Sequence, residues 1–185
     1  MSSDLDLRNK FSIAEKLFLE KKTQEAISTY KEILSADPNI LPAINNLGTA
    51  YESLNNFLEA ERYYLQCFNL NQKEIVFINN LANIFLKQRK FKKATELLKK
   101  SLEIQPKQKI NINRLAFCLT NNNNTKEAID FCKSEIMLDP DNEYLYKLLS
   151  SNLMKLNYHR EALEYLKQGT GFIEFNDNKV NIISN

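Results

Sequence analysis

The sequence predicts an all-α array of helix–turn–helix repeats, and three observations lead there. Alanines at Ala26, Ala60, Ala94, Ala128 and Ala162 recur every 34 residues without a slip. Apolar residues inside each unit recur at three- and four-residue intervals, as in Ile44, Leu47, Tyr51 and Leu54, which marks one face of a helix. Only 3 Gly and 4 Pro occur in 185 residues, too few for a fold of strands and tight turns. A fixed period of this size signals stacked units, none of which can bury its apolar face alone.

The spacing predicts five units at 7–40, 41–74, 75–108, 109–142 and 143–168, preceded by a lead (1–6) and followed by a tail (169–185). In each first helix an apolar residue (Ile13, Leu47, Leu81, Leu115, Leu149) precedes a small one (Ala14, Gly48, Ala82, Ala116, Ser150). Leu17, Tyr51, Phe85, Leu119 and Leu153 follow three residues later. First helices are expected to end near Leu54, Gln88 and Thr120. Polar turns come next at Asn55-Asn56, Arg89-Lys90, Asn121 to Asn124 and Asn157-Tyr158, residues that accept turn geometry. Each second helix carries the periodic alanine, and four residues on Tyr30, Tyr64, Leu98, Cys132 or Leu166. Small residues on both helices let two backbones approach, and a larger side chain there would overpack the contact by roughly 1–3 kcal/mol. Asp37-Pro38, Gln105-Pro106 and Asp139-Pro140 close three units, because proline cannot continue a helix. The tail departs from the pattern after Gln168. Phe172, Ile173 and Phe175, then Val180, Ile182 and Ile183, flank Asn176-Asp177-Asn178, which predicts a short non-helical segment of β-hairpin type.

The pattern resembles the tetratricopeptide repeat family from about Leu7 to Gln168. Asn-Leu-Gly-Thr-Ala-Tyr at 46–51 with Glu-Ala-Glu-Arg-Tyr-Tyr at 59–64 matches best. The early aromatic of the first helix is replaced by Ile44, Ile78 and Ile112, with Tyr146 in unit five, and Gln72 stands where a closing proline is usual. The resemblance implies a right-handed α-solenoid whose first helices line a groove that binds a protein or an extended peptide.

Catalysis finds no support. His159 is the only histidine, and no carboxylate or cysteine is spaced beside it as a ligand or base partner. Cys67, Cys118 and Cys132 form no CxxC pair and fall on apolar helix positions, so packing is the simpler reading and no metal is expected. Gly169-Thr170-Gly171 is too short for a phosphate loop, and no cofactor is expected. A formal charge of +2 demands no polyanionic partner. The basic residues between Lys87 and Lys109 read as a solvated turn and outer helix face, with an acidic protein surface ahead of RNA as a partner. No secretory signal or membrane-length apolar stretch stands out, which predicts a cytoplasmic protein without membrane contact.

The fifth and sixth residues of each first helix should look into the groove. They are Phe11-Ser12, Asn45-Asn46, Asn79-Asn80, Asn113-Arg114 and Lys147-Leu148, five Asn in ten places. With 24 Asn in 185 residues, chance predicts between one and two. Asn83 extends the patch by a turn. An amide side chain carries both a donor and an acceptor, so a row of them can hold an extended chain by its backbone. The expected partner site is therefore Asn45, Asn46, Asn79, Asn80, Asn83, Asn113 and Arg114, with Asn46 and Asn80 facing solvent. Asn46 and Asn80 resemble the asparagine ladder of the O-linked N-acetylglucosamine transferase family, which Arg114 interrupts. Against the carboxylate clamp of chaperone-binding repeats, Asn80 and Arg114 fit while Asn45, Thr49 and Ile110 do not. Two functions follow: an interaction module gripping a peptide or partner surface, or a substrate-presenting scaffold domain of a larger, transferase-like enzyme system. The apolar tail residues could also support self-association.

Overall fold

The computed structural model describes the backbone of residues 2–176 and 179–183 and the side chains of residues 5–171. Among these, ten helices follow in sequence: α1 (Ser2–Leu19), α2 (Thr23–Ala36), α3 (Leu41–Ser53), α4 (Phe57–Leu70) and α5 (Ile75–Lys87), then α6 (Phe91–Ile104), α7 (Lys109–Asn121), α8 (Thr125–Leu138), α9 (Glu143–Lys155) and α10 (His159–Thr170). The architecture is the expected all-α array of helical hairpins. α1 starts inside the lead, and α10 runs two residues past Gln168. Phe172–Asn176 and Lys179–Ile183 pair as antiparallel strands, Phe172 opposite Ile183. The tail's side chains, on which the self-association expectation rests, lie outside the described residues, as do Asp177 and Asn178 of the expected turn.

One backbone device makes every hairpin. Lys21, Asn55, Arg89, Asn123 and Asn157 adopt positive φ between 57° and 64°, again 34 residues apart. Asparagine tolerates this left-handed conformation better than lysine or arginine. In four of the hairpins the next amide reaches back to close the first helix: Lys22 N–H to the Leu17 carbonyl (2.9 Å), Asn56 to Tyr51 (3.0 Å), Lys90 to Phe85 (2.8 Å) and Tyr158 to Leu153 (3.0 Å). The left-handed residue donates to a second orphan carbonyl, as Asn55 does to Glu52 (2.9 Å), completing a Schellman motif. The second helix begins at once, with the Ala60 amide bonded to the Asn56 carbonyl and Ala94 to Lys90, both at 3.1 Å.

The chain forms two compact units, residues 1–104 and 105–185. In the first, a core of Ile27, Tyr30, Ile33, Ile44, Leu47, Tyr63 and Cys67 surrounds Ala14, Ala26 and Ala43. Tyr51 stacks on Tyr63 with ring centroids 5.6 Å apart. In the second, Ile129, Cys132, Ile136, Leu145, Tyr146, Leu149 and Leu153 pack around Ala116 and Ala162. The five periodic alanines are all fully buried.

Gly48 shows why the small position matters. A Cβ built there would lie 2.7 Å from Cε1 and 2.9 Å from Cδ1 of Tyr64, whose hydroxyl is tied to Glu52 at 2.8 Å. The equivalent pair one repeat later is Ala82 with Leu98, both fully buried. Gly48→Ala is therefore expected to cost about 1–3 kcal/mol in urea denaturation through overpacking. Adding Tyr64→Leu, which recreates the Ala82–Leu98 pairing, should remove that extra cost. An equal penalty for Gly48→Ala in both backgrounds would show that the Tyr64 ring is not what excludes the methyl group.

Candidate functional site

The first helices of the first unit bring their Asn residues together. All five, Asn45 and Asn46 on α3 and Asn79, Asn80 and Asn83 on α5, are half-buried. Asn80 Nδ2 donates to Asn45 Oδ1 at 2.8 Å, bridging α5 and α3. Asn45 Nδ2 lies 3.5 Å from Asn46 Oδ1, and Asn46 Nδ2 donates to the Tyr30 hydroxyl at 3.3 Å. Asn79 Oδ1 accepts from Ser101 Oγ at 2.7 Å. The expectation that Asn46 and Asn80 simply face solvent is therefore corrected. Asn80 thus reaches the residue before its own counterpart Asn46 in the preceding repeat, so the amides also tie repeats together.

Glu52 anchors the second part of this network. Its carboxylate accepts from Asn83 Nδ2 (2.8 Å) and the Tyr64 hydroxyl (2.8 Å) and pairs with Lys87 Nζ (2.8 Å). Thr49 Oγ1 stands 3.0 Å from the same hydroxyl. Burial raises the Tyr64 phenol well above the ordinary range; the Thr49 bond works against this, and the neighbouring Glu52 charge adds to it. The phenol thus keeps its proton and stays a donor to Glu52. Glu52 was not singled out from the sequence, and Tyr64 and Thr49 appeared there only as a packing position and a clamp mismatch, since the Asn83–Glu52 bond across 31 residues depends on how repeats stack. What results is asymmetric: Asn80 and Asn83 each commit one N–H within the fold, while among the described residues their Oδ1 atoms accept no bond. This face can accept hydrogen bonds from another chain's amides.

In the second unit, Asn113 Oδ1 accepts from Nδ2 of Asn142, the buried N-cap of α9, at 2.9 Å. Arg114 Nη1 reaches Asn111 Oδ1 at 3.5 Å, a long bond that leaves most of a half-buried guanidinium for other acceptors. Asn142 gave no separate signal, because the Asp139-Pro140 unit end beside it already explained the break.

Other candidates resolve into structure. The exposed His159 lies with Nδ1 3.3 Å from the Met154 sulfur. Cys67, Cys118 and Cys132 are free and buried, and burial pushes the Cys67 and Cys132 thiols up to about 12, with Glu135 adding to the effect on Cys132. Such thiols are inert toward nucleophilic chemistry at neutral pH. Among the described residues no group of His, Cys, Asp or Glu could hold a metal, and no helix is long and apolar enough to cross a membrane. The basic stretch is partly internal: Lys90 pairs with Glu61 at 2.7 Å, while Lys93 and Lys100 lie over the Phe85 and Phe68 rings.

Comparison with known proteins agrees with this fold. Models described as tetratricopeptide repeat match residues 41–74 and 85–151. A crystal structure of MamA superposes with a TM-score of 0.80 at 18% identity, covering 88% of each chain. MamA from Desulfovibrio magneticus RS-1 gives 0.79 at 16% identity over 88% of this chain and 92% of that one. YrrB, titled a TPR protein with an unusual peptide-binding site, gives 0.77 at 18% identity over 86% and 82%. Comparison with curated protein sequences gives no match.

The Asn80–Asn45 bond predicts an energetic coupling. A double-mutant cycle with Asn45→Ala and Asn80→Ala, read by chemical denaturation, should give about 0.5–1.5 kcal/mol of interaction. Strictly additive losses would mean that the two amides do not bind each other in solution.

Proposed function

Taking as premise that the chain is built from tetratricopeptide repeats, we propose that it is a non-catalytic interaction module. Its first-helix face holds an extended segment of a partner protein. One observation carries this reading: the amide row on α3 and α5, where Asn80 and Asn83 are each fixed by one donated bond within the fold while their acceptors remain open. An extended peptide presents backbone N–H groups at regular intervals, and fixed acceptors meet them without reference to side-chain identity. Because Asn45 and Glu52 hold the two amides in place, little side-chain entropy is lost on binding. YrrB, similar in fold, is described as having a peptide-binding site, which supports the same class of ligand. In the second unit, Asn113 and Arg114 offer a separate point of attachment, where the guanidinium could hold a carboxylate through two hydrogen bonds.

The test begins with affinity capture and mass spectrometry to obtain the partner, followed by titration calorimetry. Single Asn46→Ala and Asn80→Ala changes should each weaken binding by up to roughly tenfold, the scale of one net hydrogen bond, and the pair by more. Arg114→Ala should cost most if the ligand is acidic. Thermal melts run in parallel separate a lost contact from lost folding, since both Asn residues also bridge helices. Unchanged affinity in the double Asn variant, together with binding abolished by Lys92→Glu and Lys93→Glu, would move the site to the outer helix face.

A further inference from the structure

The first unit carries a second feature that the amide row does not explain: two pockets in the groove between α1 and α3, with α2 as their floor. One, of 330 Å³, is lined by Leu7, Phe11, Ile33, Ile40 and Pro42, with Arg8 and Ser12. The other, of 270 Å³, lies toward the C-terminal end of α1 and is lined by Phe18, Leu19 and Tyr30, with Glu15, Asn46 and Thr49. Their chemistry differs. The first is walled by aliphatic groups and one aromatic ring, and its single charge is the exposed guanidinium of Arg8. In the second the single charge is the exposed carboxylate of Glu15, beside two aromatic rings. Among the described residues neither Arg8 nor Glu15 has a recorded ion pair or side-chain hydrogen bond, whereas Asn46 and Thr49 already bond within the fold.

We infer that this groove selects its partner by two side chains three residues apart: an apolar one seated beside Phe11 and Ile33, and a lysine or arginine seated beside Glu15. The inference rests on the peptide-binding reading and adds sequence preference to it. A pocket with one carboxylate and the partly exposed Phe18 ring suits a cationic side chain, whose apolar stem packs on that ring while its head meets the carboxylate. Arg8 repels a second cation from the other pocket, so the segment has one favoured direction. The separation follows from helix geometry. Phe11 and Phe18 are seven residues apart on α1, about 10.5 Å at 1.5 Å per residue. A polyproline-II segment has three residues per turn and rises ~3.1 Å per residue, so its residues i and i+3 share one side about 9 Å apart. A fully extended strand would turn residues i and i+3 to opposite faces, which favours the polyproline-II form.

A solid-phase library of acetylated hexapeptide amides, with Pro-Pro fixed at the centre and all other positions randomised, tests this on the full chain. The expected selection is an aliphatic or aromatic residue directly before Pro-Pro and Lys or Arg directly after it. Glu15→Lys, an exposed change checked by circular dichroism, should reverse the second preference toward Asp and Glu. The expected change in charge preference is up to about fivefold, the scale of an exposed ion pair. A selected motif whose charge ignores Glu15→Lys, yet which is lost with Asn46→Ala and Asn80→Ala, overturns the pocket assignment and leaves the amide-row reading standing. A motif that survives all three changes overturns both. No selection at all overturns the sequence preference, while the calorimetry above still decides the amide row.

Discussion

The closeness of two helix backbones inside each repeat is the constraint on which the rest of the fold depends. At Ala26, Ala60, Ala94, Ala128 and Ala162 the packing leaves no solvent exposure. Opposite these second helices, the first helices keep Ala14, Gly48, Ala82, Ala116 or Ser150. The left-handed turn residue then has to fall at one fixed place, and it does, from Lys21 through Asn157. With helix contact and turn both set at the same step, each repeat presents the same positions outward.

That regularity is what gives the polar face its chemistry. Bonds between repeats span close to one period: Asn80 to Asn45 across 35 residues, Asn83 to Glu52 across 31, and Asn152 to Thr120 across 32. An amide at a repeated position therefore bridges to a neighbour through one end, and in the proposed reading it offers the other to a ligand. The roles are not in conflict, because an amide already fixed by one bond is better positioned to make a second. Charged side chains join the same network where Glu52 meets Lys87, and Lys90 meets Glu61 in a separate pair.

The repeat frame was legible because close packing admits so few residues at the alanine and small positions that their period shows in the sequence. Asn55, Asn123 and Asn157 likewise announce a turn through their tolerance of positive φ, whereas Lys21 and Arg89 are identified only by alignment with them. The Asn row was visible for its excess, but its internal bonding was not. Solvent-facing amides were expected, and the structure has them half-buried and bonded. The partners Glu52, Ser101 and Asn142 escaped notice because nothing in their local sequence marks them, and Tyr30 was visible only as a packing position. Whether two polar side chains meet across a repeat depends on rotamers and on stacking, which periodicity alone does not encode. The pockets beside Phe11 and Phe18 are of the same kind, being shapes made jointly by α1, α2 and α3.

Position-dependent photo-crosslinking tests the central claim, that the first-helix face is where a partner lies, most directly. Val76 on α5 and Lys92 on α6 are both exposed, so a photoreactive phenylalanine analogue can replace either without disturbing the core. The account predicts that the variant at position 76 yields a covalent adduct with one partner protein and that the variant at position 92 yields none. An adduct with that partner from position 92 and none from position 76 would contradict it.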